Sequence, residues 1–146
     1  LSDAIVDPLQ HAPHYTEKLL HTRGGHVSCM GTSLSAVPAP MGSNACPTFG
    51  SFNDWKKIDA AQLERWSALL QACPDSRLKV VGFADGLARQ RLQRWLMQSG
   101  IDPARVSVAG RLAPREFYAE IQSVDLAIDS WPFGGGVTTA TTLSLG

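Results

Sequence analysis

The chain has 146 residues and a mass of 15.7 kDa, which suits a single domain or part of a larger protein. Lysine plus arginine and aspartate plus glutamate both number 13, and this zero net charge argues against a nucleic-acid partner, which needs a basic face. Hydrophobic residues make up 44% of the chain, enough for a packed core, and no apolar run reaches the about 20 residues that span a bilayer. We therefore expect a globular protein with no membrane and no nucleic-acid partner.

The three cysteines are odd in number and far apart, so they predict neither a disulfide framework nor a zinc knuckle. This usage is typical of a reduced, cytoplasmic setting. The four histidines and Cys29 follow no standard zinc spacing, and we predict no metal site. The chain lacks an initial methionine and its last residues read like the start of an element, which indicates a piece of a longer protein.

Residues 1–47 lack a sustained pattern and hold five of the nine prolines and all four histidines. His14–Leu20 predicts one or two helical turns, and residues 32–45 predict a linker. The character changes at Thr48, so we place a domain boundary between residues 1–47 and residues 48–146.

From Thr48 onward, short apolar runs alternate with helical patterns. Asp59 is a predicted helix N-cap, and Gln62 follows it at capping-box spacing. Gly100 is predicted to end a helix in the left-handed conformation, and Pro114 to lie in the first turn of another helix. The predicted strands cover residues 48–52, 78–83, 106–109 and 126–128, and a last helix is predicted at 138–145. The apolar positions of the three helices between the strands are Leu63, Trp66 and Leu70 in the first, Leu87, Leu92 and Trp95 in the second, and Phe117 and Ile121 in the third. This alternation predicts an α/β fold, a Rossmann-like parallel sheet with right-handed crossovers.

A glycine-rich segment follows the last predicted strand. Gly134, Gly135 and Gly136 allow a sharp turn and close approach to a ligand, and the next helix directs free N–H groups to that space. Thr138 and Thr139 add hydroxyl donors, so the segment suits a phosphate at the carboxyl ends of the strands. The spacing matches neither a P-loop nor Gly-x-Gly-x-x-Gly, and on spacing alone a simple glycine turn is an equally good interpretation.

Two further loops lie on the same predicted edge of the sheet. A lysine after the first strand, in Asn-Asp-Trp-Lys-Lys-Ile at 53–58, would neutralise charge on a pyrophosphate leaving group, although most loop lysines are solvated surface charges. Leu-Ala-Pro-Arg-Glu at 112–116 follows the third strand, and simple helix initiation also explains it.

The order of these blocks resembles the C-terminal lobe of the O-GlcNAc transferase and SPINDLY-like glycosyltransferases. Residues Asp3–Pro8 and Tyr15–Leu20 are similar to the last segment of that family's N-terminal catalytic lobe. The blocks that carry the resemblance are Thr-Phe-Gly-Ser-Phe-Asn at 48–53 with Lys57 and Trp66, Pro-Asp-Ser-Arg-Leu at 74–78, Gly-Ile-Asp-Pro-Ala-Arg-Val at 100–106, and Val-Asp-Leu-Ala-Ile-Asp at 124–129 running to Thr138 and Thr139.

The resemblance implies part of the C-terminal lobe of a two-lobed (GT-B) inverting glycosyltransferase, which moves a sugar from a nucleotide donor to Ser or Thr of protein acceptors without a metal. It also implies a parent chain with an N-terminal lobe and tetratricopeptide repeats, and an isolated fragment without activity. By position, Lys57 matches the catalytic lysine that stabilises the donor diphosphate. The implied nucleotide-sugar-binding residues are Gly135, Gly136, Val137, Thr138 and Thr139 at the phosphates, and Ala113 and Arg115 at the base and ribose.

The resemblance leaves three functions open. The donor is expected to be UDP-GlcNAc, with GDP-fucose as the alternative. A lobe that keeps the fold without chemistry is the third, because Val137 stands where the family often has a hydroxyl and Thr141 where it has an acidic residue near the ribose.

Overall fold

The computed structural model describes residues 1–25, 46–82 and 86–146. The chain divides into two compact units, Leu1–Gly31 and Thr32–Gly146. The predicted linker at 32–45 lies outside the described residues, and the domain boundary before Thr48 stays a prediction.

The first unit contains one 3₁₀ helix, Leu9–His14, and a parallel bridge between Ser2 and His21 within its described residues. The helical turn predicted at His14–Leu20 is wrong, because helical structure ends at His14. Tyr15 takes an extended conformation, and its hydroxyl donates a hydrogen bond to the Asp7 carboxylate instead.

The second unit alternates strands and helices. Its strands are β1 (Thr48–Ser51), β2 (Arg77–Val81), β3 (Val106–Ala109) and β4 (Leu126–Ala127), and its helices are α1 (Ala60–Ala72), α2 (Gly86–Ser99), α3 (Pro114–Gln122) and α4 (Val137–Ser144). The strands form one sheet in the order β3-β2-β1-β4, and every pair is parallel. The predicted α/β fold with a parallel sheet is confirmed.

Local signals explain where the helices begin and end. The Asp59 side chain accepts a hydrogen bond from the Gln62 N–H at 2.8 Å, which caps α1. The Gln62 side chain does not complete a capping box, because its oxygen accepts from the Trp131 N–H at 3.1 Å. Gly100 has φ +66°, the left-handed conformation that ends α2.

Two apolar clusters pack on opposite faces of the sheet. One contains residues of α1 and α2, including Trp66 and Trp95, and the other contains Ile121 of α3 and Leu145 after α4. Leu87, expected on the apolar face of α2, is 74% exposed. Ala88, Leu92 and Trp95 are the buried positions of α2, because their spacing of four and three residues keeps them on one face. No helix in the described residues is both long and apolar enough to cross a membrane.

The strand order creates a switch point between β1 and β4. The chain moves from β1 through α1 to β2 and through α2 to β3, and α3 then returns it to the other side of β1. Because α1 and α4 pack on opposite faces, the loops after β1 and β4 diverge at the carboxyl edge of the sheet. Open α/β sheets bind ligands in the crevice at such a point.

Candidate functional site

The loops that leave β1 and β4 form the candidate site. β1 and β4 are hydrogen-bonded neighbours, with Phe49 beside Leu126 and Gly50 beside Ala127. We call residues 129–136, between β4 and α4, the glycine loop. Lys57 and Asn53, two residues that follow β1, both donate hydrogen bonds to it.

Lys57 is positioned by the residues around it. Trp55–Lys57 forms a 3₁₀ turn whose N-cap, Asp54, accepts from the Lys56 N–H at 3.0 Å. Trp55 and Ile58 on either side are buried in the apolar cluster of α1 and α2. The alternation of buried and polar residues therefore directs Lys57 away from the core.

The Lys57 ammonium contacts the glycine loop. Its Nζ donates to the Gly134 carbonyl at 2.8 Å and lies 4.8 Å from the centroid of the Phe133 ring. Phe133 is 69% exposed, so this cation–π contact lies at the surface and contributes on the order of 0.5–1 kcal/mol. Lys57 is thus held at the loop by contacts weak enough for a bound anion to replace.

Asp129 organises the glycine loop. Its Oδ1 accepts from the N–H of Ser130 and of Gly135, both at 2.8 Å, and from the Asn53 side-chain amide at 2.6 Å. Its Oδ2 accepts from the Thr139 hydroxyl at 3.1 Å. One carboxylate therefore joins the loop after β1, the glycine loop and the first turn of α4.

These hydrogen bonds control the ionisation of Asp129. Partial burial favours the neutral acid and raises the pKa, but the donors from Gly135, Ser130, Asn53 and Thr139 outweigh it, and the pKa of Asp129 lies below its ordinary value. The group is therefore an anion at neutral pH, balanced by donors that all point toward it.

The tight packing around Gly135 explains why a glycine stands there. A Cβ at this position would lie 2.3 Å from the Thr139 hydroxyl oxygen and 2.7 Å from the Asn53 side-chain oxygen. At Gly134 the nearest atom would be an Asp129 carboxylate oxygen at 3.3 Å. The sequence interpretation assigned Gly135 to phosphate contact, but in the structure its N–H donates to Asp129.

The first turn of α4 offers donors beside this network. Gly136 is the N-cap residue, and no side chain of the described residues caps the helix. The N–H groups of such a turn and the positive end of the helix dipole favour an anion. Of the predicted residues here, Val137 is 59% exposed, Thr138 and Thr139 line a pocket, and the Thr139 hydroxyl is already donated to Asp129.

The pocket beside Asp129 has a volume of about 100 Å³. Apolar side chains, hydroxyl groups of α4, and the polar side chains of Asn53 and Asp129 form its wall. It is lined by Phe52, Asn53, Ala127, Ile128, Asp129, Thr138, Thr139, Thr142 and Leu143.

Ala113 and Arg115 lie elsewhere on the same edge. They follow β3, which is three strand positions from β4, or about 14 Å at ordinary strand spacing. Ala113 is the N-cap of α3, and its N–H donates to the Glu116 carboxylate at 3.1 Å. Arg115 is exposed. The structure brings Lys57 and the glycine loop together. Ala113 and Arg115 stand at the start of α3 and are not among the residues that line the pocket beside Asp129.

The sequence interpretation missed Asn53 and Asp129 as site residues. Both residues were named only as parts of longer motifs, without a role of their own. A usable signal was present, because both are polar residues just beyond neighbouring parallel strands, whose carboxyl ends meet at one edge. Within the described part of the chain, no group of three His, Cys, Asp or Glu side chains is arranged to hold a metal ion.

Comparison with known proteins supports the resemblance. No protein-family model matches the chain. Over its full length it is 33% identical to a protein of Solanum lycopersicum named "Probable UDP-N-acetylglucosamine--peptide N-acetylglucosaminyltransferase SPINDLY", and 32% identical to the protein of the same name in Petunia hybrida. The chain spans only 16% of the length of each relative, about a sixth.

A solved structure gives the same result. A mutant O-GlcNAc transferase of Thermobaculum terrenum matches 97% of this chain with a TM-score of 0.81 and 26% sequence identity, and the match covers 27% of that protein. The predicted resemblance to O-GlcNAc transferases and SPINDLY proteins is confirmed across the chain, together with the fold of part of such an enzyme.

Proposed function

We propose that this chain is the donor-binding part of a protein O-glycosyltransferase, which transfers a sugar from a nucleotide to Ser or Thr side chains of proteins. Similarity along the whole chain to proteins named as N-acetylglucosaminyltransferases supports this class and makes UDP-GlcNAc the first candidate donor. We also propose that the transfer needs no metal, as the family resemblance implies.

The observation that carries the proposal is the position of Lys57. Its ammonium lies 2.8 Å from the carbonyl of Gly134, at the switch point of a parallel sheet and beside the first turn of α4. Lysine side chains and the N–H groups at helix N-termini are both donors that proteins use to bind phosphate groups. A diphosphate placed between them would replace the Gly134 carbonyl and the Phe133 ring as the partner of the ammonium.

The chemistry follows from that placement. In an inverting transfer, the acceptor oxygen forms a bond to the anomeric carbon while the bond from that carbon to the diphosphate oxygen breaks. The leaving diphosphate keeps the electron pair, and the hydroxyl proton passes to a base. Lys57 and the N–H groups at the start of α4 stabilise the charge that develops on the diphosphate, the kind of interaction that lowers a barrier most effectively.

The size of the pocket bears on activity. At about 100 Å³, the pocket beside Asp129 is smaller than the roughly 300–1,000 Å³ of ordinary ligand sites. We propose that other parts of a longer protein enclose the sugar and supply the base. The isolated chain then binds the nucleotide but does not catalyse sugar transfer.

A titration of UDP and of GDP into the chain, followed by calorimetry, tests the proposal. Lys57→Ala is the test variant, and Lys56→Ala is its control, because Lys56 is an exposed neighbour of the same charge. Loss of one charged hydrogen bond, worth about 1.5–3 kcal/mol, should weaken binding by about 10- to 100-fold in Lys57→Ala and hardly at all in Lys56→Ala.

Each result has a clear meaning. Tighter binding of UDP than of GDP, with loss in Lys57→Ala, supports the UDP-GlcNAc donor. The reverse preference replaces it by GDP-fucose. No binding of either nucleotide by the folded protein contradicts the proposal and favours a lobe that has kept the fold without the chemistry.

A further inference from the structure

Asn53 and Asp129 are joined across the switch point although neither is among the predicted site residues. Asn53 is 6% exposed, and its amide donates to the Asp129 carboxylate at 2.6 Å and to the Ser130 hydroxyl at 3.1 Å. Each residue follows a different strand, and the two strands are neighbours. We call this pair of residues the Asn53–Asp129 bridge.

We propose that the Asn53–Asp129 bridge is a positioning device, which sets the glycine loop and the first turn of α4 at a defined distance from Lys57. The role in nucleotide binding rests on the function proposed above. Neither residue is assigned a contact with substrate, so both act through the groups that they hold.

The bridge has anchored groups on both sides. Asn53 lies four residues before Lys57, and the buried side chains of Trp55 and Ile58 hold that segment on the core. On the other side, Asp129 binds the Gly135 N–H and the Thr139 hydroxyl of α4. The loop after β1 also contacts the glycine loop through the Lys57 bond to Gly134, for which a phosphate would compete.

The bridge also decides which donors remain for a phosphate. The Gly135 N–H and the Thr139 hydroxyl are directed at Asp129 and away from a ligand. The donors that the bridge leaves for a phosphate include the Lys57 ammonium, the Thr138 hydroxyl and the N–H groups at the start of α4. Their relative position depends on the bridge, because Lys57 belongs to one loop and α4 follows the other.

Among the residues that the structure describes, few other charges face the bridge. On the loop after β1 they are Lys57, and Asp54, whose carboxylate accepts from the Lys56 N–H. The side chains of α4, Val-Thr-Thr-Ala-Thr-Thr-Leu-Ser, include no titratable group, and α1 contributes the uncharged Gln62 through its bond to Trp131. A second carboxylate placed at Asn53 would therefore titrate mainly against Asp129.

The Asn53→Asp variant uses this arrangement as a test. It keeps the size of the side chain and places two carboxyl groups at hydrogen-bond distance, where both cannot ionise easily. At about pH 5 one shared proton restores the bridge, and at about pH 8 loss of that proton separates the two groups. The double variant Asn53→Asp/Asp129→Asn is the matched control, because it restores one carboxylate and one amide.

Two readouts are measured for the wild type and each variant. The first is hydrogen exchange of the Gly135 amide followed by NMR, which reports the bridge without any nucleotide. The second is the affinity for UDP and GDP at the two pH values, divided by that of the wild type at the same pH, which removes the titration of the phosphate itself. In Asn53→Asp we expect this ratio and the Gly135 protection to fall about tenfold from the lower to the higher pH, as for a coupling of about two pKa units between the carboxyl groups.

The controls separate the bridge from a general effect on folding. The double variant should show no pH dependence. Asp129→Asn should weaken the protection of the Gly135 amide equally at both pH values. Wild-type protection and affinity in Asn53→Asp at both pH values would overturn the proposal. If the wild type binds neither nucleotide while Gly135 protection responds as expected, the proposed function fails and the positioning of the loop is still supported.

Discussion

Replacing Gly135 with alanine introduces a methyl group where two polar atoms already lie. The new carbon would be 2.3 Å from the Thr139 hydroxyl oxygen and 2.7 Å from the Asn53 side-chain oxygen. Thr139 can rotate away, which breaks its bond to Asp129, but Asn53 is buried and bonded to Asp129 and Ser130. A lost hydrogen bond costs about 1–3 kcal/mol and overpacking about as much, so we expect a loss of about 2–6 kcal/mol in the free energy of unfolding.

Gly134→Ala is the control for this prediction. Its Cβ would meet one Asp129 oxygen at 3.3 Å, so we expect a change within about 1 kcal/mol. Both substitutions reduce the entropy of the unfolded chain equally, and that contribution cancels in the comparison. Urea unfolding followed by circular dichroism gives both free energies. A difference between the two variants below about 0.5 kcal/mol would refute the steric reasoning.

Three further predictions concern other parts of the second unit. Trp95→Phe should lower the free energy of unfolding more than Trp66→Phe, although Trp66 is more deeply buried. The reason is that the Trp95 N–H donates to Ser67 at 2.7 Å, whereas the buried Trp66 N–H has no partner among the described residues. Equal losses in urea unfolding would contradict this. Arg105→Lys should lower the free energy of unfolding by about 1–3 kcal/mol, because Arg105 donates to three backbone carbonyls that a single ammonium cannot reach together. An unchanged midpoint of urea unfolding would count against this prediction. The pKa of Asp129 is below the ordinary 3.8, so its ionised form stabilises the fold above that pH, and this stabilisation is lost as the pH falls through the lower pKa of the folded state. The difference in free energy of unfolding between the wild type and Asp129→Asn should therefore shrink on acidification. A difference that stays constant from neutral pH to about pH 3 would refute this.

The order of elements was predictable from the sequence because it depends on local patterns. Asp59 at the start of α1 and Gly100 at the end of α2 act within one turn of the chain. Leu87 was misassigned because its spacing to Leu92 and Trp95 also fits a helical stripe, and only the packed sheet shows that Ala88 is the buried residue.

The candidate site was predictable only in part. Lys57 and the glycine loop could be named from residue types after strands, and the structure places them in contact. The Asn53–Asp129 bridge was not found because its members are 76 positions apart and depend on β4 returning to the side of β1. Such a pairing is a property of topology and not of local sequence.

An NMR titration of the ¹⁵N-labelled chain with UDP tests most directly whether the switch point is a nucleotide site. We predict that the largest amide shifts fall on Lys57 and on Gly136, Val137 and Thr138, with smaller shifts near Ala113. A saturable response of this kind that is absent in Lys57→Ala would support the assignment of the diphosphate to this crevice. Amide shifts confined to α1 and α2, or no amide shifts at millimolar UDP, would contradict this assignment.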